Sequence, residues 1–95
     1  MSLTKADLIQ AVAEGNGFSK VKASETVETL LEIIKRTLES GEDVLISGFG
    51  KFQVRDKRER RGRNPASGED MMLASRRVVR FKCSEVLRDK INGKG

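Results

Sequence analysis

From Arg55 to Asp70 the chain runs for sixteen residues in which Ala66 is the only non-polar side chain besides those of glycine and proline. Successive side chains of a strand point to opposite faces, so neither face of this stretch can be buried in a core. The segment therefore has to project, and the rest of the chain must fold around its two ends. Those ends read as strands: Phe52 and Val54 alternate with polar residues before it, and Val78, Val79 and Phe81 restore apolar character after it. Pairing positions that sum to 133 sets Phe52 opposite Phe81, Val54 opposite Val79, and Ala66-Ser67 at a hairpin tip. One β-bulge would shift that register.

The remaining 79 residues form a small body. At roughly 100 to 200 residues per domain, the 95 residues make a single domain, with a body of 1–54 and 71–95 and an arm of about 55–70. A hydrophobic content of 37%, raised to about 46% by nine glycines, matches a globular protein and excludes wholesale disorder. The longest apolar runs, Val44–Ile46 and Met71–Ala74, are far short of the roughly 20 residues that span a bilayer. The first ten residues contain Lys5 and Asp7 and no secretory apolar stretch. A lone Cys83 fits a reducing compartment and a small buried hydrophobe, so the expectation is a cytoplasmic protein.

Thr4 followed by Asp7 forms a capping box with a short acid, and Ala6, Leu8, Ile9, Val12 and Ala13 recur at helical spacing. Gly15-Asn16-Gly17 is expected to break this first helix, and Ser19 to cap a second. The second carries a stripe of Ala23, Val27, Leu30, Leu31, Ile34 and Leu38, and ends at Gly41. The two make a helical hairpin. Val44–Ile46 reads as a strand, Ser47-Gly48-Phe49-Gly50 as a tight turn, and Ser84 as the cap of a short last helix with Val86, Leu87 and Ile91. The fold class is α+β: an N-terminal helical hairpin, a three-stranded antiparallel sheet with a long protruding β-ribbon arm, and a short C-terminal helix.

Charge points to the partner. Residues 1–50 hold five basic and eight acidic side chains, whereas residues 51–82 hold eleven and four. The basic third has eight Arg to three Lys, and Arg offers a planar fork suited to phosphates and base edges where solubility needs charge alone. Nucleic acid is the leading partner. Eleven extended residues from Arg55 to Pro65 reach roughly 36 Å, comparable to the ~34 Å turn of duplex DNA. Arg55, Lys57, Arg58, Arg60, Arg61 and Arg63 supply the outgoing cations, and Arg76, Arg77, Arg80 and Lys82 the returning ones. Asp56, Glu59, Glu69 and Asp70 are expected to pair with neighbouring arginines and not to hold a metal, and Met71 and Met72 to pack at the ribbon's base. Pro65, the only proline, reads either as turn chemistry or as an apolar wedge that enters the base stack.

Other readings fit less well. A helix-turn-helix would press Glu25, Glu28 and Glu32 towards phosphates. An RNA-binding module lacks its aromatic platform, with no Tyr or Trp and four Phe that suit a core. No histidine is present to activate the cysteine, and Gly48-Phe49-Gly50 is too short for a dinucleotide fingerprint, so no catalysis, cofactor or small-molecule substrate is expected. Removing the arm leaves a body near the size at which one core supplies little stability, which favours a partner chain. Leu31, Ile34, Phe49 and Phe52 are the candidates for that shared core.

Gly48-Phe49-Gly50-Lys51-Phe52 and Arg61-Gly62-Arg63-Asn64-Pro65-Ala66-Ser67-Gly68-Glu69 resemble the signature of the HU/integration host factor family of bacterial DNA-bending proteins, and the likeness covers essentially the whole chain. The resemblance implies an intertwined dimer, of identical chains or with a related subunit, whose arms enter the minor groove and whose tip prolines intercalate. It implies that Pro65 is the wedge, that Arg60, Arg63 and Asn64 lie along the groove, and that Ser47, Gly48, Lys5 and the Lys82–Ser84 helix start meet flanking phosphates. It also implies a nucleoid-associated role in DNA condensation, recombination and transcription regulation. Arg76-Arg77-Val78-Val79 looks more like the alpha-type integration host factor branch than like HU, which would act as a sequence-nonspecific homodimer. Where relatives carry Pro-Gly before the last helix, this chain has Cys83-Ser84.

Overall fold

The structure, a computed structural model, describes residues 1–93 and divides into two compact units, one of Met1–Arg36 and one from Thr37 onward. In the first unit α1 (Lys5–Asn16) opens on the expected capping box. The Asp7 N–H donates to Thr4 Oγ1 at 3.2 Å and the Thr4 N–H donates to Asp7 Oδ2 at 3.0 Å. Hydrogen bonding to Thr4, from its backbone first and its side chain second, holds the Asp7 carboxyl below its ordinary value of 3.8. The helix ends within Gly15-Asn16-Gly17, as expected. It continues through Asn16, whose Nδ2 donates to the Val12 carbonyl at 2.9 Å, and stops at Gly17, where φ is 65°. A helix ends where the backbone turns left-handed, and an interior glycine costs only about 1 kcal/mol, so Gly15 lacks the means to stop it.

Helix α2 (Lys20–Glu39) is capped by Ser19, whose Oγ accepts from the Lys22 N–H at 3.1 Å. Its stripe turns Ala23 and Val27 fully inward and leaves Leu31, Ile34 and Leu38 half-buried, but Leu30 is 56% exposed. An ion pair of 2.7 Å from Lys5 Nζ to Glu28 Oε1 joins α1 to α2.

In the second unit the strands β1 (Val44–Ile46), β2 (Gly50–Lys57) and β5 (Arg76–Cys83) form an antiparallel sheet in the order β1-β2-β5. A separate two-stranded ribbon joins β3 (Arg60–Arg63) to β4 (Asp70–Leu73). Every pair in β2·β5 and in β3·β4 sums to 133, from Gly50 opposite Cys83 to Arg63 opposite Asp70. The register survives the break between the two sheets because each side skips two residues, Arg58-Glu59 and Ala74-Ser75. Met71 and Met72 do not pack at the ribbon's base: they lie opposite Gly62 and Arg61 and are 41% and 57% exposed. Their position follows from the register, which runs the ribbon outward from Leu73 and sets them opposite Gly62 and Arg61.

Alternation separates the faces of the main sheet. Gly50, Phe52, Val54, Val79, Phe81 and Cys83 share one face, on which the rings of Phe52 and Phe81 lie 4.9 Å apart and those of Phe49 and Phe81 5.2 Å. Gly50 opens β2 instead of closing the preceding turn, and it is the one buried residue of the sheet. A β-carbon there would sit 2.5 Å from two Phe81 ring atoms and 2.7 Å from the Lys82 carbonyl. The carbonyl is held in the strand and cannot yield. Gly50→Ala should therefore cost about 1–3 kcal/mol by overpacking, more than the roughly 0.4–1 kcal/mol that loss of unfolded-state freedom returns. An unchanged or raised Tm in thermal unfolding would refute this. Helix α3 (Glu85–Ile91) follows with Ser84 as its cap, the Leu87 N–H donating to Ser84 Oγ at 3.1 Å, so Ser84 in place of the relatives' Gly still starts the helix.

Candidate nucleic-acid interface

The face of β2 and β5 opposite the phenylalanines carries Lys51 across from Lys82, Gln53 from Arg80, Arg55 from Val78 and Lys57 from Arg76. It holds six cations and no carboxylate. Sequence reasoning left Lys51 out of the site, although the alternation of Lys51, Gln53, Arg55 and Lys57 along one strand places it there. Arg77 falls on the apolar face. Its Nε donates to Asp56 Oδ1 at 2.9 Å and its Nη1 to the Glu39 carbonyl at 3.1 Å, so this guanidinium ties the end of α2 to the sheet. Of the four arm carboxylates, Asp56 alone has an arginine within ion-pair distance among the described residues.

Beyond the break the ribbon turns Arg60, Gly62, Met71 and Leu73 to one side and Arg61, Arg63, Asp70 and Met72 to the other. Gly62 and Leu73 are half-buried against each other, since a β-carbon on Gly62 would stand 3.0 Å from the Leu73 side chain. Glycine lets Leu73 lie across the ribbon and brace it. The other ribbon residues are exposed.

The tip is built by Asn64. Its N–H donates to the Glu69 carbonyl at 2.8 Å, its carbonyl accepts from the Gly68 N–H at 2.7 Å, and its Oδ1 accepts from the Ala66 N–H at 2.9 Å. Gly68 takes φ 73°, and the Glu69 N–H donates to Ser67 Oγ at 3.3 Å. Pro65 sits inside this braced turn, exposed, with no N–H to satisfy. Asn64 was expected along the groove, and it is also the residue that makes the tip rigid. Arg58 is exposed in the break between the sheets, and Ser47 and Gly48 in the β1–β2 turn, where Gly48 adopts φ 77°. Lys5 is engaged by Glu28, whose carboxyl its ammonium holds below the ordinary 4.5. The dimer candidates Phe49 and Phe52 belong to the phenylalanine cluster of the second unit, and Leu31 and Ile34 to the half-buried stripe of the first.

The Lys57 ammonium is pushed below its ordinary 10.5, first by Arg60, then by Arg76, by partial burial and by Arg80. Cations set this close together lower one another's proton affinity, and an anion among them would relieve that repulsion.

The family model for the bacterial DNA-binding proteins matches residues 3–92. The chain belongs to this family, that of HU and integration host factor. As a member it is an architectural DNA-binding protein and not an enzyme. The integration host factor subunit alpha of Anaeromyxobacter sp. strain K is 53% identical over 91 residues, covering 96% of this chain and 80% of that protein. The protein of the same name from Aliivibrio fischeri strain MJ11 is also 53% identical over 91 residues, covering 96% and 93%. Among solved structures, an HU–DNA cocrystal structure from Anabaena superposes with a TM-score of 0.80 at 35% identity, covering 93% of this chain and 96% of that one. An HU mutant from Thermotoga maritima gives 0.67 at 30% identity, covering 93% and 97%. The α+β architecture read from the residues is that of HU and integration host factor.

Proposed function

We propose that the chain works as one protomer of a dimer that bends duplex DNA, each protomer laying its ribbon along the minor groove and driving Pro65 between base pairs. The carrying observation is an exposed proline on a turn that Asn64 braces through three hydrogen bonds, at the end of a ribbon bearing Arg60, Arg61 and Arg63. A rigid apolar ring can unstack a step only if its mount does not give way, and the bent duplex then reaches more cationic surface. Arg55, Lys57, Arg76, Arg80 and Lys82, joined by Lys51, would hold the flanking backbone, with Arg58 at the arm's base and Ser47 and Gly48 at the neighbouring turn. The whole chain would serve as one DNA-binding domain, with 55–70 as its arm. DNA condensation, recombination and transcription regulation in the cytoplasmic nucleoid are the processes such bending serves.

Likeness to proteins named subunit alpha supports a heterodimer with a related subunit, and the 35% identity to an HU of known structure keeps a homodimer as the second reading. Energy transfer between the ends of a short duplex separates bending from binding. Two wedges of this class each kink DNA by roughly 20–90°, so Pro65→Ala in both arms should relax the bend by at least ~40° while the affinity falls far less. An unchanged bend would remove the wedge. Bending by this chain alone would show that no second subunit is needed.

A further inference from the structure

Two of the chain's three methionines, Met71 and Met72, stand exposed on the ribbon, away from any core that would use an apolar side chain. Successive residues of a strand face opposite sides, so each side of the arm carries one thioether. Their surroundings differ. Met71 lies opposite Gly62, which has no side chain to meet it, whereas Met72 lies directly opposite Arg61 and shares its side of the ribbon with Arg63 and Asp70. β-Carbons directly opposite in an antiparallel pair are about 4.5–5.5 Å apart, within reach of two long side chains. Arg61, Asp70, Met71 and Met72 line one open cleft of about 190 Å³. Asp70 is the only carboxylate in that lining, and neither it nor any other described carboxylate stands within ion-pair distance of Arg61. The side chain facing this guanidinium offers only a thioether sulfur, a weak acceptor.

Resting on the bending function above, we propose that Met72 is a site of reversible oxidation by hydrogen peroxide, and that its sulfoxide lowers DNA affinity by capturing Arg61. A sulfur lone pair attacks one peroxide oxygen and breaks the O–O bond. That oxygen stays on sulfur as the S=O group, and the other leaves with both protons as water, so sulfur loses the two electrons that peroxide gains. The product is polar where the thioether was apolar. Its oxygen accepts hydrogen bonds from across the rung, and a guanidinium engaged there is less free to meet a phosphate. Met71 oxidises as well, but with glycine opposite it the sulfoxide has no cation directly across to take. Methionine sulfoxide reductases restore the thioether, which makes the change reversible.

The test treats the unsubstituted chain, Met71→Leu and Met72→Leu with hydrogen peroxide, locates the sulfoxides by peptide mass, and measures affinity and bend on one duplex before and after. Oxidation of the unsubstituted chain should weaken binding roughly two- to tenfold per arm, the range spanned by one hydrogen bond. The salt slope should fall by up to about 0.9 per arm. Met71→Leu should lose as much on oxidation, and Met72→Leu should lose little. Oxidation of Met1 or Cys83 would weaken all three chains alike, so the difference belongs to Met72. The nitrogen-15 signal of Arg61 Nε in the DNA-free protein is the second reading: it should shift when the unsubstituted chain or Met71→Leu is oxidised, and stay in place in Met72→Leu. The proposal is overturned by any of four results: no sulfoxide at Met72 under conditions that convert Met1, unchanged affinity with the sulfoxide present, an equal loss in Met72→Leu, or an unmoved Arg61 signal. An absent bend in the unoxidised chain marks failure of the bending function, and the Arg61 signal, read without DNA, still decides the capture.

Discussion

Raising monovalent salt from about 50 to 200 mM should weaken the complex with duplex DNA by ~10³- to 10⁵-fold, the response expected when six to ten phosphates are neutralised. The distribution of ion pairs explains why the response should be so steep. Cations away from the proposed surface are mostly engaged: Lys5 by Glu28, Lys35 and Arg36 by Glu32, Arg77 by Asp56, Arg88 by Glu85. On the interface, Lys51 alone has a carboxylate near it. The remaining cations of the β2·β5 face, with Arg58, Arg60, Arg61 and Arg63, keep their counterions until a phosphate displaces them. Two substitutions sharpen the test. Arg80→Gln, on the cationic face, should lower the slope of log affinity against log salt by about 0.9 for each phosphate left without its cation. Arg77→Gln should leave the slope unchanged, because that guanidinium is held by Asp56 and the Glu39 carbonyl. A weak salt response in the unsubstituted chain, or a drop in slope for Arg77→Gln equal to that for Arg80→Gln, would overturn the assignment.

What the sequence made legible follows from the kind of interaction involved. The sum-133 register could be read because strand alternation has period two and the apolar pairs Phe52–Phe81 and Val54–Val79 agree with it. It holds to Arg63 and Asp70 only because the interruption is balanced, and nothing in the composition of Arg58-Glu59 or Ala74-Ser75 announces that balance. The fate of Arg77 was hidden for a different reason: one acceptor is a main-chain carbonyl 38 positions away, which carries no side-chain signature. The Gly15-Asn16-Gly17 break was legible because a glycine stops a helix where the backbone turns left-handed, and Gly17 does so. Asn64 had a groove-lining reading by resemblance, whereas its hydrogen bonds reveal the turn-building one.

Phe52→Ala should abolish folding at micromolar concentrations, and the reason lies in how little this chain buries by itself. Its accessible surface is 7944 Å², against about 5,500 Å² for a typical folded monomer of this mass. Ala23 and Val27 are its only buried hydrophobic residues among those described, while Phe49, Phe81, Val79 and Leu30 stay 45%, 46%, 51% and 56% exposed. A core this open is completed by a second copy or a related subunit, so the stability of the fold and that of the dimer are one quantity. Tenfold dilution should then remove ~1.4 kcal/mol per dimer and lower Tm measurably. Phe52 is one of three mutually packed rings, 4.9 Å from Phe81 and 6.4 Å from Phe49, so truncating it opens the cluster in both protomers. At about 3–5 kcal/mol per truncated phenylalanine, a homodimer would lose ~6–10 kcal/mol, most of the roughly 5–15 kcal/mol by which ordinary proteins stay folded. Circular dichroism and sedimentation across a hundredfold concentration range decide the matter. A variant that remains folded and dimeric, or an unsubstituted chain whose Tm ignores concentration, would show that one protomer closes its own core and that the exposed phenylalanine face serves something other than a partner.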